Sequence, residues 1–214
     1  MTPQDASERL IGVARKAPVI PVLVIDEATT ARPLAEALVA GGLYALEVTL
    51  RTPAALDAIR AMADVPGAIV GAGTLLNPDD ARRTQDAGAT FGVSPGSTED
   101  LMDICEAMAL PLLPGAATAT EAMRLLDRGY SFQKFFPAEA NGGIPALKSL
   151  AAPLPQVTFC PTGGVTPENA GAYLALPNTV CVGGSWVAPK DRVAAGDWTA
   201  VTTLAAEAAA LVIG

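Results

Sequence analysis

The sequence contains no histidine. That absence removes imidazole acid–base catalysis, Ser-His-Asp triads and the usual imidazole-ligated zinc sites. Proton transfer in this chain must fall to carboxylates, lysine, tyrosine, thiols or water. Positive charge is also scarce: 14 Lys and Arg stand against 22 Asp and Glu, for a net charge of −8, and no basic block occurs. Nucleic acid and anionic membrane surfaces need a positive field, so neither is an expected partner. An anionic small molecule remains open, provided that an arginine or backbone N–H groups meet its charge locally. The three cysteines, Cys105, Cys160 and Cys181, have neither the number nor the CxxC spacing of a disulfide framework. Buried free thiols are expected, with Cys160 and Cys181 in apolar strand patterns. No apolar run reaches the ~18 to 20 residues of a membrane span. The N-terminal Met-Thr-Pro-Gln-Asp lacks a basic region leading into an apolar one. A cytoplasmic location is the expectation.

What is present is a chain of 214 residues, half of them hydrophobic and only 17% charged, which suits one domain (1–214) with a large core. Short β-rich runs are predicted at 19–25, 45–50, 68–74, 90–94, 111–114, 131–136, 156–161 and 179–182. Between and after them, helical periodicity marks 31–40, 53–63, 78–87, 98–109, 119–128, 144–151, 167–175 and 198–211. Eight strands alternating with eight helices predict an α/β protein of the (β/α)8 TIM-barrel kind. Asn77-Pro78 and Thr166-Pro167 read as N-caps followed by proline at the first helical position. Gly41-Gly42, Gly88 and Gly129 fall where helices should end. Apolar spacing over 3–16 (Ala6, Leu10, Val13) predicts an extra N-terminal helix, covering the bottom of the barrel.

Charged residues inside two strand patterns carry the chemistry. In Ser131-Phe-Gln-Lys-Phe-Phe-Pro137, Lys134 stands alone among aromatic residues, sharing a face with Phe132 and Phe136. Burial there penalises the ammonium and favours a neutral nucleophilic amine, suited to an imine with a carbonyl substrate. The alternative is an outward lysine whose stem covers a helix while its charge reaches water. In the run 45–51, strand alternation puts Glu47, Thr49 and Arg51 on one face and Leu46, Val48 and Leu50 on the other. The apolar set must face helices, so Glu47 and Arg51 point toward the barrel mouth, where barrel enzymes keep their active sites. A buried Glu47–Arg51 ion pair is the structural alternative, although desolvation makes such pairs weak stabilisers. Without histidine, Glu47 is the carboxylate left to move protons around an imine.

Two glycine-rich segments, Cys160-Pro-Thr-Gly-Gly-Val-Thr166 and Val182-Gly-Gly-Ser-Trp186, close the seventh and eighth strands. In barrel enzymes the loops after these strands commonly cradle phosphate, with bare N–H groups and hydroxyls aimed at the anion. Each GG pair alone would also serve a tight turn; together, with Thr162 and Ser185 as donors, they point to phosphate. Gly71-Ala-Gly-Thr74 offers another close backbone approach. Ser94-Pro95-Gly96 and Pro114-Gly115 are either plain turns or substrate contacts.

These blocks give the chain a family likeness. LEVTLRT (46–52), GAGTLLNP (71–78), SPG (94–96), FQKFFPAEANGG (132–143), FCPTGG (159–164) and VGGSW (182–186) resemble, in order, the class I 2-keto-3-deoxy-6-phosphogluconate (KDPG) aldolases, and they span most of the chain. The resemblance implies a (β/α)8 barrel, a homotrimer, and metal- and cofactor-free cleavage of a phosphorylated keto acid to pyruvate and glyceraldehyde 3-phosphate. It implies Lys134 as the Schiff-base lysine and Glu47 as the acid–base residue. It sets Arg51 and Thr74 against the pyruvyl carboxylate and Pro95 and Phe136 in the pyruvyl pocket. Thr162, Gly163, Gly164, Gly184 and Ser185 fall to the phosphate. Some relatives carry an arginine near the end of strand one; here that stretch reads Pro21-Val-Leu-Val-Ile-Asp26, so neutral donors are expected to hold the phosphate. Rival readings are the same chemistry on 2-keto-3-deoxy-6-phosphogalactonate or 4-hydroxy-2-oxoglutarate, a phosphate-binding barrel isomerase, and a sugar-phosphate binding module.

Overall fold

The computed structural model describes residues 1–212, so the last two residues of the expected 1–214 domain lie outside the described residues. Helix α1 (Pro3–Ala14) leads the chain, capped by Thr2, whose hydroxyl accepts from the Asp5 N–H at 3.1 Å while the Asp5 carboxylate accepts from the Thr2 N–H at 3.2 Å. The strands follow as β1 (Val19–Leu23), β2 (Ala45–Thr49), β3 (Ile69–Gly73), β4 (Phe91–Val93), β5 (Leu112–Leu113), β6 (Gly115–Ala116), β7 (Phe132–Phe135), β8 (Thr158–Pro161) and β9 (Val182–Gly184). The helices between and after them are α2 (Ala31–Ala40), α3 (Ala55–Ala63), α4 (Pro78–Asp86), α5 (Glu99–Ala107), α6 (Ala119–Arg128), α7 (Gly143–Ala151), α8 (Pro167–Leu174), α9 (Lys190–Ala194) and α10 (Trp198–Ala209). Among the described residues, no helix is long and apolar enough to cross a membrane.

All strand pairs are parallel, in a six-stranded sheet ordered β5-β4-β3-β2-β1-β9 and a three-stranded sheet ordered β6-β7-β8. This is an α/β fold with two strand segments where the sequence predicted one at 111–114. Proline explains the break. Pro114 has no N–H to give a ladder; its carbonyl instead accepts from the Lys134 N–H at 2.8 Å. Leu113 still pairs with β4, while Gly115 turns to pair with β7. The last strand also lies later than 179–182. Thr179 makes only an isolated bridge to Phe159, and Val182–Gly184 lies along Val19–Pro21 of β1. Glycine's low strand propensity hid this register in the sequence. A short 3-10 turn (Ala28–Thr30) and α9 were not predicted.

Side-chain alternation sorts the core into two clusters. Leu46 and Val48 of β2 pack outward with Leu38, Ile59 and Met62 of the helices. Facing inward, Ile20, Ala45, Phe91, Val93, Phe132 and Cys160 form a second cluster, which Leu10 and Ala14 of α1 complete. Helix α1 thus lies against the starts of the strands; its Ser7 hydroxyl accepts from the Ser131 N–H at 3.1 Å. Glycine ends α6 as expected, with Gly129 left-handed at φ 113°. Asn77 caps α4, accepting from the Asp80 N–H at 3.0 Å. The apolar inner cluster ends where Glu47 follows Ala45 and Lys134 follows Phe132 on the same strand faces.

Candidate active site

Glu47 and Lys134 enter from strands on opposite sides of the inner cluster and meet there. Lys134 Nζ donates to Glu47 Oε1 at 3.2 Å, and each side chain is only 4% exposed. Neither an outward Lys134 nor a Glu47–Arg51 pair is formed. The geometry leaves the two groups one proton transfer apart. Moving a proton from nitrogen to oxygen gives an amine and a carboxylic acid, and the reverse restores the ion pair. Burial raises the cost of isolated charge at this point, so either charged group depends on the other.

Glycine makes room for this pair. A Cβ built on Gly73, which lies beside Thr49 in β3, would fall 2.1 Å from Glu47 Oε1. Behind Glu47, Thr49 donates its hydroxyl to the Leu23 carbonyl at 2.8 Å, fixing the upper end of β2 to β1. On the lysine side, the ring of Phe136 lies 5.3 Å from Nζ. Gly115 sits opposite Lys134 in the ladder, where a Cβ would strike the Pro95 backbone at 2.3 Å. Pro95 therefore packs beside the lysine strand.

Two residues past β2, Arg51 is exposed, and its Nε donates to Thr74 Oγ1 at 3.3 Å. Thr74 itself holds φ 64°, a left-handed conformation rare for a β-branched residue. Arg51 also lines a cavity of about 370 Å³, shared with Phe136, Thr162, Gly163, Gly164 and Ser185. Gly163 and Gly164 take φ 98° and 80°, so the turn after β8 has a backbone that side-chain-bearing residues rarely adopt. Gly183 completes this wall: it bridges Thr162, and a Cβ there would lie 2.3 Å from the threonine hydroxyl.

The cavity thus gathers six of the residues singled out from sequence. Glu47, Lys134, Thr74 and Pro95 lie outside its lining; Phe136 and Arg51 connect it to them. Gly184 lies on the other face of β9, against the Trp186 ring. Sequence reasoning missed Gly183, Val22, Val24 and Lys190, all lining the cavity. The GG pair signalled Gly183, but choosing between adjacent glycines requires the β9 register. The three cysteines are free and buried. Burial pushes the Cys105 thiol up to about 12, and Cys181 is raised by its neighbour Cys160 and by burial, so both are held as thiols.

Parallel strands carrying a buried lysine–carboxylate pair beside a glycine-walled cavity define an α/β protein with the site of an enzyme. Comparison with known proteins narrows the class. The family model described as KDPG and KHG aldolase matches residues 10–204. The KHG/KDPG aldolase of Escherichia coli K12 is 53% identical over 192 residues, 89% of this chain and 90% of its own. The crystal structure of the KDPG aldolase of Zymomonas mobilis ZM4 with 3-phosphoglycerate superposes at TM-score 0.92 with 53% identity, covering 96% of this chain and 97% of that one. The KDPG aldolase of Legionella pneumophila, with pyruvate captured as a covalent carbinolamine, gives TM-score 0.91 and 45% identity over 94% of this chain and 98% of its own. This chain belongs to the KDPG and KHG aldolase family.

Proposed function

We propose that this protein is a class I aldolase that cleaves KDPG to pyruvate and D-glyceraldehyde 3-phosphate through an imine on Lys134. The observation that carries the reading is the buried Lys134–Glu47 pair at 3.2 Å. Neutral Lys134 attacks the C2 ketone; loss of water gives an iminium that accepts the electron pair of the breaking C3–C4 bond. Glu47, through water, removes the C4 hydroxyl proton as that bond breaks and returns a proton to C3 of the enamine. Hydrolysis then releases pyruvate and the free lysine. Arg51, with Thr74 beside it at 3.3 Å, receives the pyruvyl carboxylate. Phe136 and Pro95 bound the pyruvyl group. Thr162, Gly163, Gly164, Gly184 and Ser185 offer hydroxyl and backbone N–H donors to the phosphate. The electron sink is the iminium, so the steps call on no metal or cofactor. The covalent carbinolamine of the Legionella relative supports the same chemistry here.

The larger frame of this proposal is one closed (β/α)8 barrel over 1–214, with α1 across its bottom. The strand bend at Pro114 and the Phe159–Thr179 and Thr162–Gly183 bridges support it, because they join the two sheets at both seams. A homotrimer belongs to it too, with half-exposed apolar side chains such as Leu76 and Met123 available to be covered. So does a cytoplasmic location, which suits free buried thiols.

Borohydride reduction in the presence of pyruvate, followed by intact-mass and peptide mapping, tests the reading. A stable pyruvyl adduct on Lys134 is expected. Pyruvate binding without an adduct would remove the imine mechanism and favour a phosphate-binding isomerase. A second check uses Gly73. In Gly73→Ala the added methyl must displace the Glu47 carboxylate. Turnover should fall on the order of 10²-fold, the scale of an ångström-level misplacement of a reacting group. Overpacking this buried site should also cost about 1–3 kcal/mol in thermal unfolding, so turnover is read below the melting transition of the variant. Full activity in that variant would mean that Glu47 does not act from this position.

A further inference from the structure

The sequence offers no cation on strand one for the phosphate, but the fold brings one from elsewhere. Lys190, the first residue of α9, lines the same cavity as Gly163, Gly164 and Ser185. Arg51 and Lys190 are the two cationic side chains in that lining. Arg51 is engaged with Thr74, which commits it to the neighbourhood of the lysine–carboxylate pair. Lys190 is instead tied to Asp26, at the end of the strand-one run, with Nζ 3.3 Å from the carboxylate. It also lines a second, smaller cavity of about 140 Å³ beside Asp26 and Glu27, so Lys190 borders both.

We propose that Lys190 is the phosphate-end cation of this enzyme and its determinant of preference for phosphorylated keto acids, and that Asp26 is its resting partner. The inference rests on the aldolase reading above. The Lys190 and Asp26 side chains are 72% and 64% exposed, so water screens their attraction and the tie is weak. A phosphate monoester carries about −1.5 to −2 charge and three acceptor oxygens at neutral pH. It therefore outbids a single exposed carboxylate for the same flexible ammonium, which reaches the anion as a mobile point charge. On a chain of net charge −8, a lysine at this end of the cavity also offsets the repulsion that a multiply charged substrate meets on approach. The glycine N–H groups and Ser185 then fix orientation, and Lys190 supplies charge.

The test compares kcat/KM on KDPG with kcat/KM on unphosphorylated 4-hydroxy-2-oxoglutarate in wild type, Lys190→Met, Lys190→Arg and Asp26→Asn. The ratio favouring KDPG should fall about tenfold in Lys190→Met, the scale of one solvent-screened charge-assisted contact. Most of that loss should appear in KM, and added salt should shrink the difference between wild type and Lys190→Met. Lys190→Arg should keep the preference, and Asp26→Asn should increase it by freeing the ammonium. A ratio in Lys190→Met within twofold of wild type, or phosphate preference that drops in Asp26→Asn, overturns the assignment while leaving the aldolase intact. If wild type turns over neither keto acid and forms no pyruvyl adduct, the aldolase reading itself has failed. Titration of wild type and Lys190→Met with inorganic phosphate still decides the role of Lys190: weaker binding to the variant supports it, and equal binding overturns it.

Discussion

Lys134→Met is expected to abolish aldol cleavage, lowering kcat/KM by about 10⁴-fold or more, the scale on which loss of a covalent nucleophile is felt. Methionine keeps an unbranched stem but cannot form an imine, so the electron sink for the C3–C4 bond disappears altogether. The fold should survive. Lys134 is 3% exposed, and among the described residues its side chain hydrogen-bonds to Glu47. Removing it leaves a buried carboxylate without its counter-charge, a change that costs about 3–5 kcal/mol when the group must stay ionised. Steady-state kinetics with pyruvate release as the signal, together with thermal unfolding, measure both effects. Activity close to wild type in a folded Lys134→Met protein would refute the assignment.

Much of this site was legible because charge inside a strand is costly and therefore conspicuous. In 45–51 the alternation of apolar and charged residues placed Glu47 on the inner face before any coordinates, and the structure keeps that parity, with Leu46 and Val48 in the outer cluster and Ala45 in the inner one. The same counting put Lys134 on the face of Phe132, which belongs to the inner cluster. What alternation lacks is distance across the molecule. Glu47 and Lys134 lie 87 positions apart, and only the sheet order brings their side chains to 3.2 Å. Helices 31–40 and 119–128 match the observed bounds; the second is fixed by the Thr118–Glu121 capping box and by left-handed Gly129, whereas the first has no side-chain cap and follows its apolar period. Strand ends were less legible. At 111–114, proline divides one run between two neighbours, and at 182–184 two glycines follow Val182, leaving the strand a single apolar side chain. Lys190 was invisible for a related reason: a five-residue helix has too few positions to show a period.

Glu47→Gln should separate imine formation from proton transfer. The amide keeps the shape of the carboxylate and its reach toward Lys134, but it cannot accept and return a proton. Turnover should fall by about 10²-fold or more, typical of losing a positioned general acid–base, with a smaller change in KM. The imine itself should persist. The substitution leaves the Lys134 nucleophile itself in place, and the covalent bond to the carbonyl forms on that nitrogen. Borohydride should therefore still trap pyruvate on Lys134 in this variant, more slowly because the carbinolamine must shed water without its acid. Exchange of the pyruvate methyl hydrogens with deuterated solvent passes through the enamine and should drop in step with kcat. That pairing is the discriminating result. Loss of both trapping and exchange would make Glu47 a structural support for the lysine, and unchanged turnover would sink the proton-shuttle role. Trapping retained with exchange lost would assign the proton to Glu47, because the covalent bond would have formed and only the hydrogen would fail to move.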